Sequence, residues 1–145
     1  MEYYNYSMFI LKNGLFNLYG NLTSLDNYIS TFNGGYKYNH MFENTNVYDC
    51  SKFNTGIKTY TGSNVFEYMF SNCKYLVKVP DLPATTLAES CYYGMFSGCT
   101  LLTTIPNNLL PATTLADSCY NSMFSGCTGL TTIPNNLLPV TTLAH

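Results

Sequence analysis

The chain has 145 residues, is 46% hydrophobic and carries a net charge of −2, a composition that supports one folded domain with a real core. Only 10% of residues are charged, against roughly a quarter in an ordinary domain, and all six basic residues are Lys. A nucleic-acid binder needs a basic patch to neutralise phosphates, and so does a protein that docks on an acidic membrane, so both classes are excluded.

The chain opens MEYYNYSMFILKNG. This stretch has no positive n-region, and its apolar run is too short for a signal peptide, so none is visible. No segment approaches the run of about 18 apolar residues that a membrane span requires. YSMFIL, KNG and LFNLYG read as a β-hairpin with Asn13-Gly14 as its turn. Tyr3, Tyr4, Tyr6, Phe9, Phe16 and Tyr19 would form an aromatic outer face. Residues 1–39 are therefore expected to be a β-rich N-terminal cap, or an anchor onto a larger assembly.

From residue 40 the chain repeats. Met-Phe recurs at 41–42, 69–70, 95–96 and 123–124, a period of 26–28 residues. LTTIPNNLLP occurs at 102–111 and returns at 130–139, and LPATTLA at 82–88 returns at 110–116. In each unit the spacing of Leu87, Cys91 and Met95 predicts a short amphipathic helix over 87–97, opened by the capping pattern Thr86–Glu89. Gly98, with Gly126, Asn72 and Asn44 at the equivalent positions, would stop it in the left-handed conformation. A short strand, LLTTIP, is expected next. Leu102 and Ile105 point inward there, as do Leu76 and Val79, Leu130 and Ile133, and Val47 and Cys50. The predicted fold is an α/β solenoid over residues 40–145, about four units with the last incomplete. Each unit pairs a short strand with a short helix. The expected core also takes in Phe70, Phe96, Met123 and Phe124.

MFSGCTLLTTIP at 95–106, MFSGCTGLTTIP at 123–134 and MFSNCKYLVKVP at 69–80 resemble the BspA-type leucine-rich-repeat proteins of bacterial cell surfaces. The resemblance covers residues 40–145. It implies a leucine-rich-repeat solenoid used for attachment or recognition, with no enzymatic activity and no cofactor. Proteins of this kind also occur in phages of gut bacteria, and the Asn-, Tyr-, Ile- and Lys-rich N-terminal region suits an AT-rich genome of that sort.

The six cysteines invite chemistry but form repeat columns. Cys73, Cys99 and Cys127 make one, and Cys91 and Cys119 another. Cys50 stands where the other units place Val79, Ile105 and Ile133. A residue that exchanges with Val and Ile behaves as a small hydrophobe, so buried free thiols are the first reading. Inter-repeat disulfides are the second and a metal site the third, because Cys-x7-Cys lacks zinc-knuckle spacing and His40 and His145 lie far off. No base accompanies a cysteine and no nucleophile elbow appears, so no catalytic residue is expected.

The expected function is thus structural: a repeat array on a cell surface or virion that binds a protein partner or its own copies. TTLAH at 141–145 restarts a unit, so another subunit, an unrelated partner or a missing continuation of the chain is expected over the C-terminal end. The alternative is a carbohydrate-binding adhesin, with exposed Tyr and Asn engaging a surface glycan.

Overall fold

The computed structural model describes residues 14–22, 38–56 and 62–139. Among these residues there is no helix, and only two strands form: β1 (Phe16–Asn21) and β2 (Val47–Asn54). The expected α/β solenoid of strand-plus-helix units is therefore incorrect, and so is the leucine-rich-repeat unit implied by the resemblance.

The segments read as helices are ribbons of consecutive turns, and their backbone hydrogen bonds explain why. In residues 64–73, Glu67, Met69, Ser71 and Cys73 donate their N–H to the carbonyl three residues back, at 3.0–3.3 Å. The intervening N–H groups leave the coil. Those of Phe66, Tyr68, Phe70 and Asn72 donate to Cys91, Tyr93, Met95 and Ser97 of the next coil, at 2.7–2.9 Å. An α-helix would spend all of these donors internally. Ribbons 38–44, 64–72, 90–98 and 118–126 stack in this way into one ladder.

Every second turn has a left-handed residue at its third position, as a type II turn requires. Hence φ is positive at four-residue intervals: Asn64, Tyr68 and Asn72 at 51–56°, then Ser90, Gly94 and Gly98, then Ser118, Ser122 and Gly126. Asn44 (59°), Asn72 (56°), Gly98 (75°) and Gly126 (72°) are left-handed, but they are recurrent turn positions, since no helix precedes them to be stopped. The four-residue beat runs out, in, in, out: Val65 and Phe66 are buried, Glu67 and Tyr68 face outward, and Met69 and Phe70 are buried again. That period is close enough to 3.6 to imitate an amphipathic helix.

The opposite side of each coil is the more extended one. β1 pairs with β2 in parallel, with Phe16 opposite Val47 and Asn21 opposite Asn54. Residues 76–82 continue the sheet by parallel bridges Asp49–Lys78 and Asn54–Asp81. β1 thus lies beside β2 on the same side of the stack. The first arm of the expected hairpin, and the turn residue Asn13, lie outside the described residues. LLTTIP at 101–106 is not a strand. Thr103, Thr104 and Ile105 make no backbone hydrogen bond among the described residues, and Pro80 and Pro106 carry no N–H.

The core fills the space between ribbon and extended side. Of the residues expected there, Cys50, Phe70, Cys73, Leu76, Val79, Cys91, Met95, Phe96, Cys99, Leu102, Ile105, Cys119, Met123 and Cys127 are buried. Phe124 and Leu130 are half-buried. Ile133 is 54% exposed, and its placement in the core is corrected: no further coil among the described residues covers that end. Two aromatic ladders run up the stack. Phe42, Phe70, Phe96 and Phe124 stack with centroids 5.4–5.7 Å apart, and Tyr38, Phe66, Tyr92 and Tyr120 follow at 5.5–6.1 Å.

Gly94 shows how tight the ribbon is. Its φ is +58°, and an added Cβ would run into the Tyr68 ring of the preceding coil. Gly94→Ala is expected to cost about 2 kcal/mol in chemical denaturation. Placed in a Tyr68→Ala background, it should cost only the backbone part. An equal loss in both backgrounds would show that the ring contact contributes nothing.

Candidate functional site

Three features of the stack are candidates for function: the cysteine columns, the outer face of the ribbons and the last coil. Among the described residues, no three His, Cys, Asp or Glu side chains gather so that they could hold a metal ion.

The cysteines have a hydrogen-bonding reason to repeat. All six are free thiols and all are buried. The Cys73 thiol donates to the Phe42 carbonyl at 3.0 Å, Cys99 to Phe70 at 3.2 Å and Cys127 to Phe96 at 3.1 Å. Each of these carbonyls also accepts an N–H from its own turn, from Thr45, Cys73 and Cys99 respectively. At Phe70 and Phe96 the thiol thus satisfies the second lone pair of a buried oxygen in the neighbouring coil, which Val could not do. In the first ribbon Thr45 holds the equivalent position, and its hydroxyl donates to Phe42 at 2.7 Å. Sequence reasoning recognised the column but not this bond, because the spacing of 29–31 residues has meaning only once the coils are stacked.

These thiols are poor nucleophiles. Burial pushes the pKa of Cys50, Cys91 and Cys99 far above the ordinary thiol value, and neighbouring thiols raise it further. Burial also raises Cys73, Cys119 and Cys127. None gains a cation or base that would stabilise the thiolate.

The outer face is uncharged and polar for most of its length. Asn44 and Asn72 occupy the same column of adjacent coils. With Thr45, Asn46, Lys74 and Tyr75 they line an open groove of about 370 Å³. Tyr75 is 46% exposed. Farther along the ribbon, His40, Tyr68 and Tyr93 pack against one another at 5.2 and 5.4 Å, with Glu43 bonded to His40. Tyr68 and Tyr93 meet edge to face, and His40 is tilted against Tyr68.

The last described coil is residues 118–139. Among the described residues, Tyr120 and Phe124 are the last rings of the two ladders, and both are half-buried. The Tyr120 hydroxyl is buried without a hydrogen-bond partner, and burial raises its pKa. Comparison of the chain with protein-family models, with curated proteins and with solved structures finds no match.

The thiols set the alkaline limit of stability. The unfolded chain's cysteines titrate near about pH 8.5, while the folded ones hold their protons well above it. Below that value neither state ionises, so stability is independent of thiol titration. Above it only the unfolded chain gains by releasing protons, and stability falls with rising pH. Under reducing conditions the denaturation midpoint should be flat to about pH 8 and drop beyond about 8.5. A Cys50→Ala, Cys91→Ala, Cys99→Ala triple variant should show a shallower drop. A midpoint that rises across the same range would refute the burial argument.

Proposed function

We propose that this protein is a non-enzymatic structural component, a stacked repeat array on a cell surface or virion that mediates attachment or assembly. The observation that supports this most is the stacking itself: ribbons 38–44, 64–72, 90–98 and 118–126 are joined in register by backbone hydrogen bonds and two ladders of rings, with no catalytic or metal-binding cluster among the described residues. A stacked array of this kind presents a long, regular surface suited to binding or assembly. The buried, partnered thiols support the same reading, because the most reactive side chains of the sequence serve packing. The resemblance in MFSGCTLLTTIP to BspA-type surface proteins, and through them to phage proteins, supports the location. Protein isolated from its native source should run in a complex larger than 16.3 kDa, the mass of one chain. A solitary, soluble chain with no associated protein would overturn the proposal.

A second reading, a carbohydrate-binding adhesin, is favoured by the groove at Asn44, Thr45, Asn46, Asn72, Lys74 and Tyr75. It joins amide and hydroxyl hydrogen-bonding groups to one exposed ring, the chemistry with which proteins hold neutral sugars. On a glycan array, this reading requires binding that Tyr75→Ala abolishes. Binding unchanged by that substitution would remove the groove from consideration.

A further inference from the structure

The repeat changes where the groove lies. Adjacent coils can be compared position by position there, because the Asn72 N–H donates to the Ser97 carbonyl at 2.7 Å and the Leu101 N–H to the Lys74 carbonyl at 3.2 Å. The inward positions keep their identity: Cys73, Cys99 and Cys127 match, as do Leu76, Leu102 and Leu130. The groove positions beside them do not. Asn72 stands where the later coils place Gly98 and Gly126, Lys74 where they place Thr100 and Thr128, and Tyr75 where they place Leu101 and Gly129. Core packing does not require these exchanges, since Asn72, Lys74 and Tyr75 are all exposed.

Bonding within the protein does not require them either. Asn54 spends its amide on Asp81, and Asn64 spends its own on Glu67. The side-chain amides of Asn44, Asn46 and Asn72 bond nothing among the described residues. That of Asn72 lies over Gly98, in the space that any Cβ at 98 would take. Lys78 is paired with Asp49 at 3.6 Å, whereas Lys74 has no ion pair among the described residues, and no carboxylate lines the groove with it. The groove thus collects three uncommitted amides, one uncommitted ammonium and the exposed ring of Tyr75.

We propose that this groove binds a uronic acid, a sugar ring bearing a carboxylate, and that Lys74 is the residue that selects the acid. Tyr75 offers a flat apolar face to the C–H side of the ring, and the three amides donate to its hydroxyls and accept from them. Those groups serve a neutral sugar equally well. The ammonium adds a charge-assisted bond that only the acidic sugar completes. One lysine is too few for a polyanion held by charge alone, which demands a cluster of cations. This inference rests on the carbohydrate reading of the groove, and it adds the class of sugar and the residue that reads it.

Matched methyl glycosides test it: glucuronide against glucoside, and galacturonide against galactoside. Each pair differs only in a carboxylate for a hydroxymethyl group. Titrations follow the amide NMR signals of the full chain. In at least one pair the acid should bind at least about threefold more tightly than its neutral partner. That preference should shrink in about 1 M sodium chloride. Lys74→Thr, which copies Thr100 of the next coil, should bring the pair to equal affinity. Lys52→Thr, at an exposed lysine outside the groove, should leave the preference intact. Equal binding of acid and neutral sugar by the unaltered chain, lost in Tyr75→Ala, would overturn the inference and leave the groove a neutral-sugar site. A preference that survives Lys74→Thr would overturn it too. No binding of any of the four glycosides up to their solubility limits would overturn both the inference and the carbohydrate reading of the groove.

Discussion

In ribbons 38–44, 64–72 and 90–98, alternate backbone N–H groups donate to the next coil and the others stay in the turn. The architecture depends on this division. The donors that leave hold successive coils in register, and the donors that stay fold each ribbon tightly enough to be stacked. A left-handed residue every four positions is the cost of that geometry, at about 1–2 kcal/mol for each residue bearing a Cβ. Gly, Asn and Ser occupy most of these positions, where a small or locally bonding side chain lowers the cost. Interactions between coils offset it: a hydrogen bond at every second residue, and rings stacked along two ladders.

Register then dictates which residues are acceptable. Side chains in one column repeat at the spacing of neighbouring strands, about 4.8 Å. A charge in the repeat would face a like charge above and below it, which is destabilising. Thr, Asn and Ser carry no such penalty and can bond along the column. This accounts for a composition with so few charges. The exception, Glu89 above Asp117, stands in open water. Where Lys78 occurs on the extended side, Asp49 of the preceding coil lies 3.6 Å from it. The Ser51 hydroxyl, and then its backbone N–H, hold the Asp49 carboxyl below its ordinary pKa, and Lys78 lowers it further.

Inside, the same register makes cysteine useful. A buried carbonyl in each coil has one lone pair committed to its own turn and another directed at the following coil. A thiol is small and apolar enough for the core, yet it donates a weak hydrogen bond. The columns Cys73–Cys99–Cys127 and Phe42–Phe70–Phe96 are therefore one device, each thiol joined to the phenylalanine of the coil before it. Chemical reactivity is lost in the arrangement, since burial keeps the proton on sulfur.

The sequence by itself determined the period, the columns and the list of residues that face inward. Met-Phe and Leu-x-x-Ile recur at fixed spacing, and such recurrence reports stacking whatever the backbone does between. It also marked Asn44, Asn72, Gly98 and Gly126 as positions suited to a left-handed backbone. What remained ambiguous was the backbone itself. An out-in-in-out beat of four residues and a helical stripe of 3.6 place nearly the same side chains inside, as Leu87, Cys91 and Met95 illustrate. Gly94 and Ser90, left-handed residues within the presumed helix, were the signal that could have separated them. Only the tertiary structure decided the matter, because the destination of an N–H group depends on whether a neighbouring coil presents a carbonyl to it. That neighbour lies 25–27 residues away in sequence, and no local pattern records its position.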